Sequence, residues 1–203
     1  MRWDGFTPGL TGSGKCPSRS PWPSRKWPSG AAGMFSRPVV EAMARMNRRP
    51  IIFALSNPTS KSECTAEDAY TWSEGRAVYA SGSPFEPVTY KGKTFVPGQS
   101  NNSYIFPGVG LGVITSEATR VTEEMFFVAA KTLAGMVTED EYAMGRIYPR
   151  LGRIREVSVA IAVSVAEVAF RRGLTKMHRP DDLMKHVKAQ LYDPTYVEYI
   201  PKS

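Results

Sequence analysis

The pattern of hydrophobic and polar positions changes character near residue 33. Residues 1–30 contain five proline, five glycine and five serine residues and three of the four tryptophans, without helical or strand periodicity. Such a segment cannot bury enough apolar surface to offset the entropy of ordering it. From Phe35 onwards, apolar positions recur at spacings typical of helices and strands. We therefore expect a leader over residues 1–32 and a globular part over residues 33–203.

The first half of the globular part alternates between helical and strand patterns. Residues 36–47 have apolar positions at helical spacing, with Ser36 as a candidate N-cap. The apolar run Ile51–Leu55, stopped by Asn-Pro, is typical of a strand that is buried on both faces in a parallel sheet. The elements predicted up to residue 99 are a helix over 36–47, a strand over 51–55, a helix over 65–73 capped by Thr65, a strand within 76–85 and a hairpin over 88–99 that turns near Lys91-Gly92.

The second half is predicted to be helical. Helices are expected to begin near Pro107, Thr122, Thr138, Arg155 and Arg179. The 155–173 segment is so apolar that we expect a mostly buried helix. The glycines of "GVGLG", residues 108–112, follow Phe-Pro and not a strand, so they indicate close helix packing and not a phosphate-binding loop. The element order predicts an α/β fold with a truncated parallel sheet and a helical C-terminal region.

Charge and cysteine content exclude several functional classes. The net charge is +7, but residues 1–33 supply +4 of it, from five basic residues and one acid. The remainder has no basic stripe interleaved with aromatic residues, so nucleic-acid binding is not favoured. The two cysteines, Cys16 and Cys64, exclude a disulfide framework and a cysteine zinc site built by this chain alone. No apolar run is long enough to span a bilayer, so no membrane partner is predicted.

Neutral polar side chains follow the predicted strands, where ligands bind in open parallel sheets. Ser56 and Asn57 follow the first strand, Ser81 ends the second, and Asn101 and Asn102 follow the hairpin. An asparagine amide offers two donors and an acceptor without changing protonation state, which suits a carboxylate or a nicotinamide carboxamide. The alternative is that these residues only make turns and caps.

Residues that carry out acid, base or nucleophilic chemistry are scarce. His178 and His186 lie near the C-terminus, and we expect both to be solvated. Nothing marks Cys64 as a low-pKa thiolate. The acid pairs at 123–124 and 181–182 lie in predicted first helical turns, where they complement the helix dipole. The sequence therefore predicts no catalytic residue and no metal ligand.

Three segments resemble the C-terminal part of malic enzyme. They are "RPIIFALSNPTSKSECTAEDAYTWSEGRAVYASGSPF", "FVPGQSNNSYIFPGVGLG" and "GRIYPRLGRIREVSVAIAVSVAEVAF". The resemblance covers residues 33–201 and implies part of a Rossmann-type NAD(P)-binding layer. That family converts L-malate to pyruvate and carbon dioxide by oxidative decarboxylation, using NAD or NADP and Mg or Mn.

The resemblance also implies roles for individual residues. Asn57 would lie beside both the nicotinamide and the substrate, and Asn102 would contact the carboxylate of malate. Asn101, Ser56 and Ser81 would line the cofactor cleft. The resemblance further implies a homo-oligomeric parent enzyme in the cytoplasm, mitochondrion or plastid.

Several parts of the family pattern have no counterpart in this sequence. These are the general-acid tyrosine, the general-base lysine, the Glu-Asp-Asp metal ligands and the G-x-G-x-x-G/A phosphate loop. We therefore expect a malic enzyme fragment that contributes cofactor and malate contacts but does not turn over alone. The alternative is a non-catalytic binding or assembly module that docks on an intact malic enzyme.

The leader over residues 1–32 has three interpretations. It is a disordered extension, a basic and acid-poor organellar transit peptide without the usual amphipathic face, or non-coding sequence joined to a coding segment. The last is favoured because the resemblance stops sharply at Gly33.

Overall fold

The computed structural model describes residues 32–192. The predictions for the leader and for residues 193–203 therefore lie outside the described part of the chain. The helices are α1 Arg37–Met46, α2 Ala66–Trp72, α3 Phe106–Thr115, α4 Glu123–Gly135, α5 Glu139–Ala143, α6 Ile154–Arg171 and α7 Leu183–Ala189. The strands are β1 Ile51–Ala54, β2 Val78–Ser81, β3 Val88–Tyr90, β4 Lys93–Phe95 and β5 Gly98–Gln99.

A short parallel sheet organises the first half of the described chain. Its strand order is β1-β2-β5, with Ile51 opposite Val78 and Ala80 opposite Gly98. The parallel pairing of the two predicted strands is confirmed. The third strand, β5, was assigned by the sequence to the hairpin, whereas Gly98–Gln99 pairs with β2. Two residues without an apolar pattern give no strand signal of their own.

The prediction that β1 is buried on both faces is wrong for the described residues. Ile52 and Ala54 are 4% and 0% exposed, whereas Ile51 and Phe53 are 58% and 36% exposed. Successive side chains of a strand point to opposite faces of the sheet. Helices α1 and α2 therefore cover one face of β1, and nothing within residues 32–192 covers the other.

The antiparallel hairpin β3–β4 is confirmed. Lys91 and Gly92 connect its strands, with φ of 48° and 77°. Positive φ at both central positions is what a type I′ turn requires. The hairpin packs beside the sheet, where Phe95 stacks on Tyr70 with ring centroids 4.5 Å apart.

The second half forms a helical layer centred on α6, which packs against α3, α4 and α7. Two glycines of α3 bring its backbone onto α6, as predicted. A Cβ atom at Gly108 would lie 2.7 Å from Ile161, and one at Gly112 would lie 2.6 Å from the carbonyl oxygen of Ala162. A Cβ atom at Gly110 would meet nothing within 4 Å, so this glycine faces away from α6.

Two of the four predicted caps form a capping hydrogen bond, whereas Ser36 occupies the N-cap position of α1 without making one. Thr65 accepts a hydrogen bond from the amide of Asp68, and Thr138 with Glu141 forms a complete capping box. Thr122 occupies the N-cap position of α4, but its hydroxyl accepts no capping hydrogen bond. Among the described helices, none is long and apolar enough to cross a membrane.

Candidate functional site

The amides singled out by the sequence meet at the carboxyl ends of β1 and β5. Asn57, Asn101 and Asn102 line one cavity of about 390 Å³, together with Leu55 and Ser100. The loops are held in place by backbone hydrogen bonds that extend the sheet. The amide of Gly82 donates to Ala54, and the amide of Ser100 donates to Ser81. The structure therefore brings these three asparagines to one cavity.

Asn57 is oriented by a hydrogen bond from the loop that follows β2. The hydroxyl of Ser83 donates to Oδ1 of Asn57 at 2.5 Å. This bond uses the acceptor of the amide and leaves the Nδ2 group to donate to a ligand. Asn57 is also the first residue of a cis peptide bond with Pro58.

Gly82 makes room for the Asn57 amide. A Cβ atom at position 82 would lie 2.2 Å from the carbonyl oxygen of Leu55 and 2.8 Å from Oδ1 of Asn57. Real Cβ atoms essentially never approach that closely, so any side chain there would displace the loop after β1. The close approach of two loops explains the glycine in the "ASGSPF" segment.

The other two amides lie in the turn that leads into α3. Oδ1 of Asn101 accepts a hydrogen bond from the amide of Ser103 at 2.9 Å and caps the 3₁₀ turn Asn102–Tyr104. Oδ1 of Asn101 therefore acts as an ordinary cap, which is the alternative that the sequence left open. The Nδ2 group of Asn101 and the whole amide of Asn102 do not take part in that cap, and both side chains are exposed.

Two tyrosines form a wall of the cavity that the sequence did not indicate. Tyr104 and Tyr148 stack with ring centroids 5.6 Å apart. The hydroxyl of Tyr104 donates to the carbonyl of Pro149 at 2.6 Å, and that of Tyr148 lies 2.9 Å from Oγ of Ser100. Burial raises the pKa of Tyr104, against a smaller opposing effect of Arg146. Tyr104 lies close to the two asparagines in the sequence, separated from Asn102 only by Ser103, whereas nothing in the sequence links Tyr148 to them.

The hydroxyls of Ser56 and Ser81 do not line this cavity. The Ser56 hydroxyl donates to the carboxylate of Glu63, and the Ser56 amide donates to the same carboxylate at 3.2 Å. Burial would raise the pKa of Glu63, but these hydrogen bonds outweigh it and the net shift is downward. Ser81 is 1% exposed, and its hydroxyl donates to the carbonyl of Ser83 at 2.7 Å. Both serines thus hold the two loops that carry Asn57 and Ser83.

The chemistry of the cavity is neutral. No carboxylate, lysine or histidine lies among its lining residues. Across residues 32–192, no group of three histidine, cysteine, aspartate or glutamate residues lies close enough together to hold a metal ion. A divalent cation prefers carboxylate oxygens, so the residues at this cavity do not fit one.

The other side chains considered for reactivity, Cys64 and the two histidines, do not line the amide cavity. Burial, with the nearby Asp68 and Glu63 charges, raises the pKa of the Cys64 thiol to about 12. His178 is exposed, as predicted. His186 is half-buried, and its Nε2 lies 3.0 Å from the carbonyl oxygen of Thr115. The expectation that His186 is solvated is therefore wrong, because α7 packs this ring against the end of α3.

Comparisons with known proteins point to one family. A family model described as malic enzyme, NAD binding domain, matches residues 28–170. The NADP-dependent malic enzyme of Populus trichocarpa is 55% identical over 172 residues, which are 84% of this chain and 29% of that protein. The chloroplastic NADP-dependent malic enzyme of Zea mays is 54% identical over 84% of this chain and 27% of that protein.

A solved structure shows the same fold. The crystal structure of malic enzyme from Pyrococcus horikoshii superposes with a TM-score of 0.59 at 25% identity, over 79% of this chain and 33% of that chain. The predicted α/β class and partial Rossmann-type layer are thereby confirmed. The chain spans about 29% of the length of the Populus relative. The chain therefore belongs to the malic enzyme family, and its matched residues belong to the NAD-binding domain of that family.

Proposed function

We propose that this chain supplies the amide side of a malic enzyme active site, in which L-malate is converted to pyruvate and carbon dioxide with NAD or NADP. One observation carries the proposal. Asn57 comes from one loop, and Asn101 and Asn102 come from another loop that is distant in the sequence. All three line one neutral cavity at the carboxyl ends of parallel strands. That is the end of an open sheet where ligands bind.

The cavity fits the nicotinamide end of a dinucleotide. The oxygen of a nicotinamide carboxamide accepts hydrogen bonds, and the Nδ2 groups of Asn57 and Asn101 are left to donate to it because their own oxygens are already engaged. When bound, the nicotinamide accepts the hydride that malate loses. The relatives from Populus and Zea are named NADP-dependent, which supports a nucleotide cofactor and favours NADP over NAD.

We propose that Ser56 and Ser81 are positioning residues. Their hydroxyls hold Glu63 and the Ser83 carbonyl, and these contacts fix the loops after β1 and β2. By fixing these loops, Ser56 and Ser81 determine how the Asn57 side chain is oriented toward the cofactor cleft.

Asn102 and Asn57 are proposed to hold the carboxylates of malate. An amide N–H donates to a carboxylate without adding a positive charge, so it binds a dianion without altering the charge balance of the hydride-transfer step. The two tyrosine rings exclude water from one side of the same cavity.

The described residues do not complete the reaction by themselves. The cavity offers no carboxylate to hold the Mg or Mn of the family, and no lysine to take the hydroxyl proton of malate. We therefore expect the isolated chain to bind ligand without turnover, because removing acid, base and metal groups costs many orders of magnitude in rate.

Cofactor binding tests the proposal directly. We expect the full 203-residue chain to show saturation-transfer NMR signals from the nicotinamide protons of NADP⁺. Asn57→Ala should weaken these signals several-fold. Asn47→Ala changes an asparagine at the end of α1, far from the cavity, and should leave them unchanged. Equal binding by both variants would contradict the role of Asn57.

Substrate binding tests Asn102 separately. In the presence of NADP⁺, Asn102→Ala should weaken malate binding by about tenfold, the typical effect of one lost charge-assisted hydrogen bond. The same variant should bind NADP⁺ nearly as well as the unchanged chain. Malate-dependent formation of NADPH by the purified chain would contradict the expectation that it is inactive alone.

A second candidate function is supported by the open face of β1. Ile51 and Phe53 are exposed on an edge strand, and this surface suits docking on an intact malic enzyme as a non-catalytic assembly module. Co-purification of the tagged chain with an intact malic enzyme, lost in Ile51→Lys, would favour this candidate. Absence of any complex at micromolar concentration would reject it.

The compartment and the oligomeric state are also proposals. The Zea relative is named chloroplastic, which supports a plastid as the compartment of the parent enzyme. A homo-oligomeric parent remains a prediction that size-exclusion chromatography with light scattering would test.

A further inference from the structure

A second cavity of about 430 Å³ lies at the opposite, amino end of the sheet. Arg48 and Arg49 precede β1, Arg76 precedes β2, and Lys93 belongs to the hairpin, and all four line this cavity. It shares no lining residue with the amide cavity. It is therefore a separate feature of the fold.

The cavity is strongly cationic and lacks counter-charges of its own. None of its lining residues is acidic. Within residues 32–192, Arg48, Arg49 and Lys93 take part in no ion pair. Like charges that share one site repel each other, and a bound anion would relieve that repulsion.

A neighbouring cavity of about 440 Å³ is less strongly cationic and shares Arg76 with the amino-end cavity. Arg37 and Glu41 line it and form an ion pair at 2.7 Å, and Glu74 lies beside them. Four cations line it, Arg37, Arg45, Arg76 and Lys91, against two carboxylates, Glu41 and Glu74, and within residues 32–192 only Arg37 and Arg76 among these cations take part in ion pairs. The amino-end cavity has four cations and no carboxylate among its lining residues, so it carries the larger excess of positive charge of the two.

Two of the four cations are held in place by the fold. One guanidinium nitrogen of Arg76 donates to the carbonyls of Ala44 and Asn47, at 2.8 Å and 3.3 Å. The ammonium group of Lys93 lies 5.0 Å from the ring centroid of Phe95. Arg76 also lies 3.9 Å from Glu74, an exposed pair that contributes little. The positions of these cations are therefore set before any ligand arrives.

We propose that this cavity binds a small anion with at least two phosphate or carboxylate groups. A planar guanidinium matches both groups through two parallel hydrogen bonds. Four cations exceed what one monovalent anion needs, and the volume is in the range of small-molecule sites. The site would make the chain responsive to a multivalent anion that is not held by the amide cavity.

Calorimetric titration of the full chain tests this site with two probes, tripolyphosphate and citrate. We expect one-to-one binding that weakens as salt is raised. The test variant is Arg48→Gln/Arg49→Gln/Lys93→Gln, which keeps Arg76 because its hydrogen bonds anchor α1. The matched control is Arg120→Gln/Lys131→Gln/Lys176→Gln, which removes the same charge from exposed positions elsewhere.

The two triple variants distinguish a specific binding site from a general effect of net charge. Affinity should fall by about tenfold or more in the test variant and less than about twofold in the control. A preference for tripolyphosphate would identify the anion as a phosphate compound, and a preference for citrate as a polycarboxylate. Equal losses in both variants, or no binding of either probe, would overturn the proposal. Asn57→Ala should leave this binding unchanged, so failure here is distinguishable from failure of the amide site.

Discussion

Helix α6 and strand β1 are both apolar runs, but their surroundings differ. Helix α6 is enclosed by α3, α4 and α7, and its buried residues lie around much of its circumference. Strand β1 buries every second residue and leaves Ile51 and Phe53 open on the other face. An apolar run in the sequence therefore indicates that its side chains can be buried. Which of them are buried depends on the other elements that pack against the run.

The largest expected effect tests the two faces of β1 against each other. Ile52→Ala should destabilise the chain by about 2–4 kcal/mol, because it removes buried methyl groups and leaves a cavity. Ile51→Ala, one position earlier on the open face, should cost less than about 0.5 kcal/mol. Urea unfolding of both variants checks this. Similar losses for the two would mean that the outer face of β1 is packed in solution.

The α3–α6 contact is tested by two glycines of one helix, one that faces α6 and one that faces away from it. Gly112→Ala should destabilise the chain by about 1–3 kcal/mol, because the new methyl group would collide with the backbone of α6 at Ala162. Gly110→Ala faces open space and should stabilise it by about 0.5–1 kcal/mol through helix propensity. Thermal unfolding monitored by circular dichroism measures both. A loss at position 110 as large as at 112 would contradict the packing described here.

The end of the helical layer near α5 depends on a buried carboxylate. Glu141 is 3% exposed and accepts hydrogen bonds from the amides of Thr138 and Arg150, at 3.0 Å and 2.9 Å. Burial would raise the pKa of Glu141, but the hydrogen bonds and the Arg153 charge lower it overall. Glu141→Gln should therefore cost about 1–2 kcal/mol at neutral pH.

The pH dependence of this effect has a definite sign. Because the folded-state pKa of Glu141 is depressed, its contribution is fully present above the unfolded-state value. It is lost as the pH falls through the lower folded-state value. The stability gap between the unchanged chain and Glu141→Gln should narrow on acidification, measured by urea unfolding at several pH values. A stability gap that stays constant as the pH falls would contradict this role of Glu141.

The smallest effect on stability is expected on the open face of the sheet. Ile51→Lys should change the unfolding free energy by less than about 0.5 kcal/mol but reduce self-association, because a charge blocks edge-to-edge pairing. Met184→Lys, at an exposed position of α7, should leave association unchanged. Light scattering across a concentration series distinguishes them. Unaltered association of the Ile51 variant would show that β1 is not the contact surface.

Much of this architecture follows from local signals in the sequence. Thr65, Thr138 and the Lys91-Gly92 turn mark their elements because caps and type I′ turns need particular residues at fixed positions. The asparagines were identified because they follow strands and form a family motif. Each of these signals involves only a few neighbouring residues, and the local structure that it predicts is present in the folded chain.

The features that the sequence did not reveal depend on distant partners. Tyr148 joins the amide cavity only because the chain returns to it after α5. Ser56 and Ser81 point their hydroxyls at Glu63 and Ser83, and nothing in their own strand pattern sets that direction. The cationic cavity needs Lys93 to approach Arg48 and Arg49, and no spacing rule joins positions so far apart.

The three glycines of α3 also constrain when the site can form during synthesis. Glycine is a poor helix former, so the segment from Phe106 to Thr115 gains its helical shape mainly by docking on α6. Asn101 and Asn102 lead directly into that segment. We therefore expect that α3 docks only after the ribosome has released residues up to Arg171, the end of α6. A nascent chain stalled earlier would carry the asparagines without the complete cavity that they line, which would make this cavity a late product of translation.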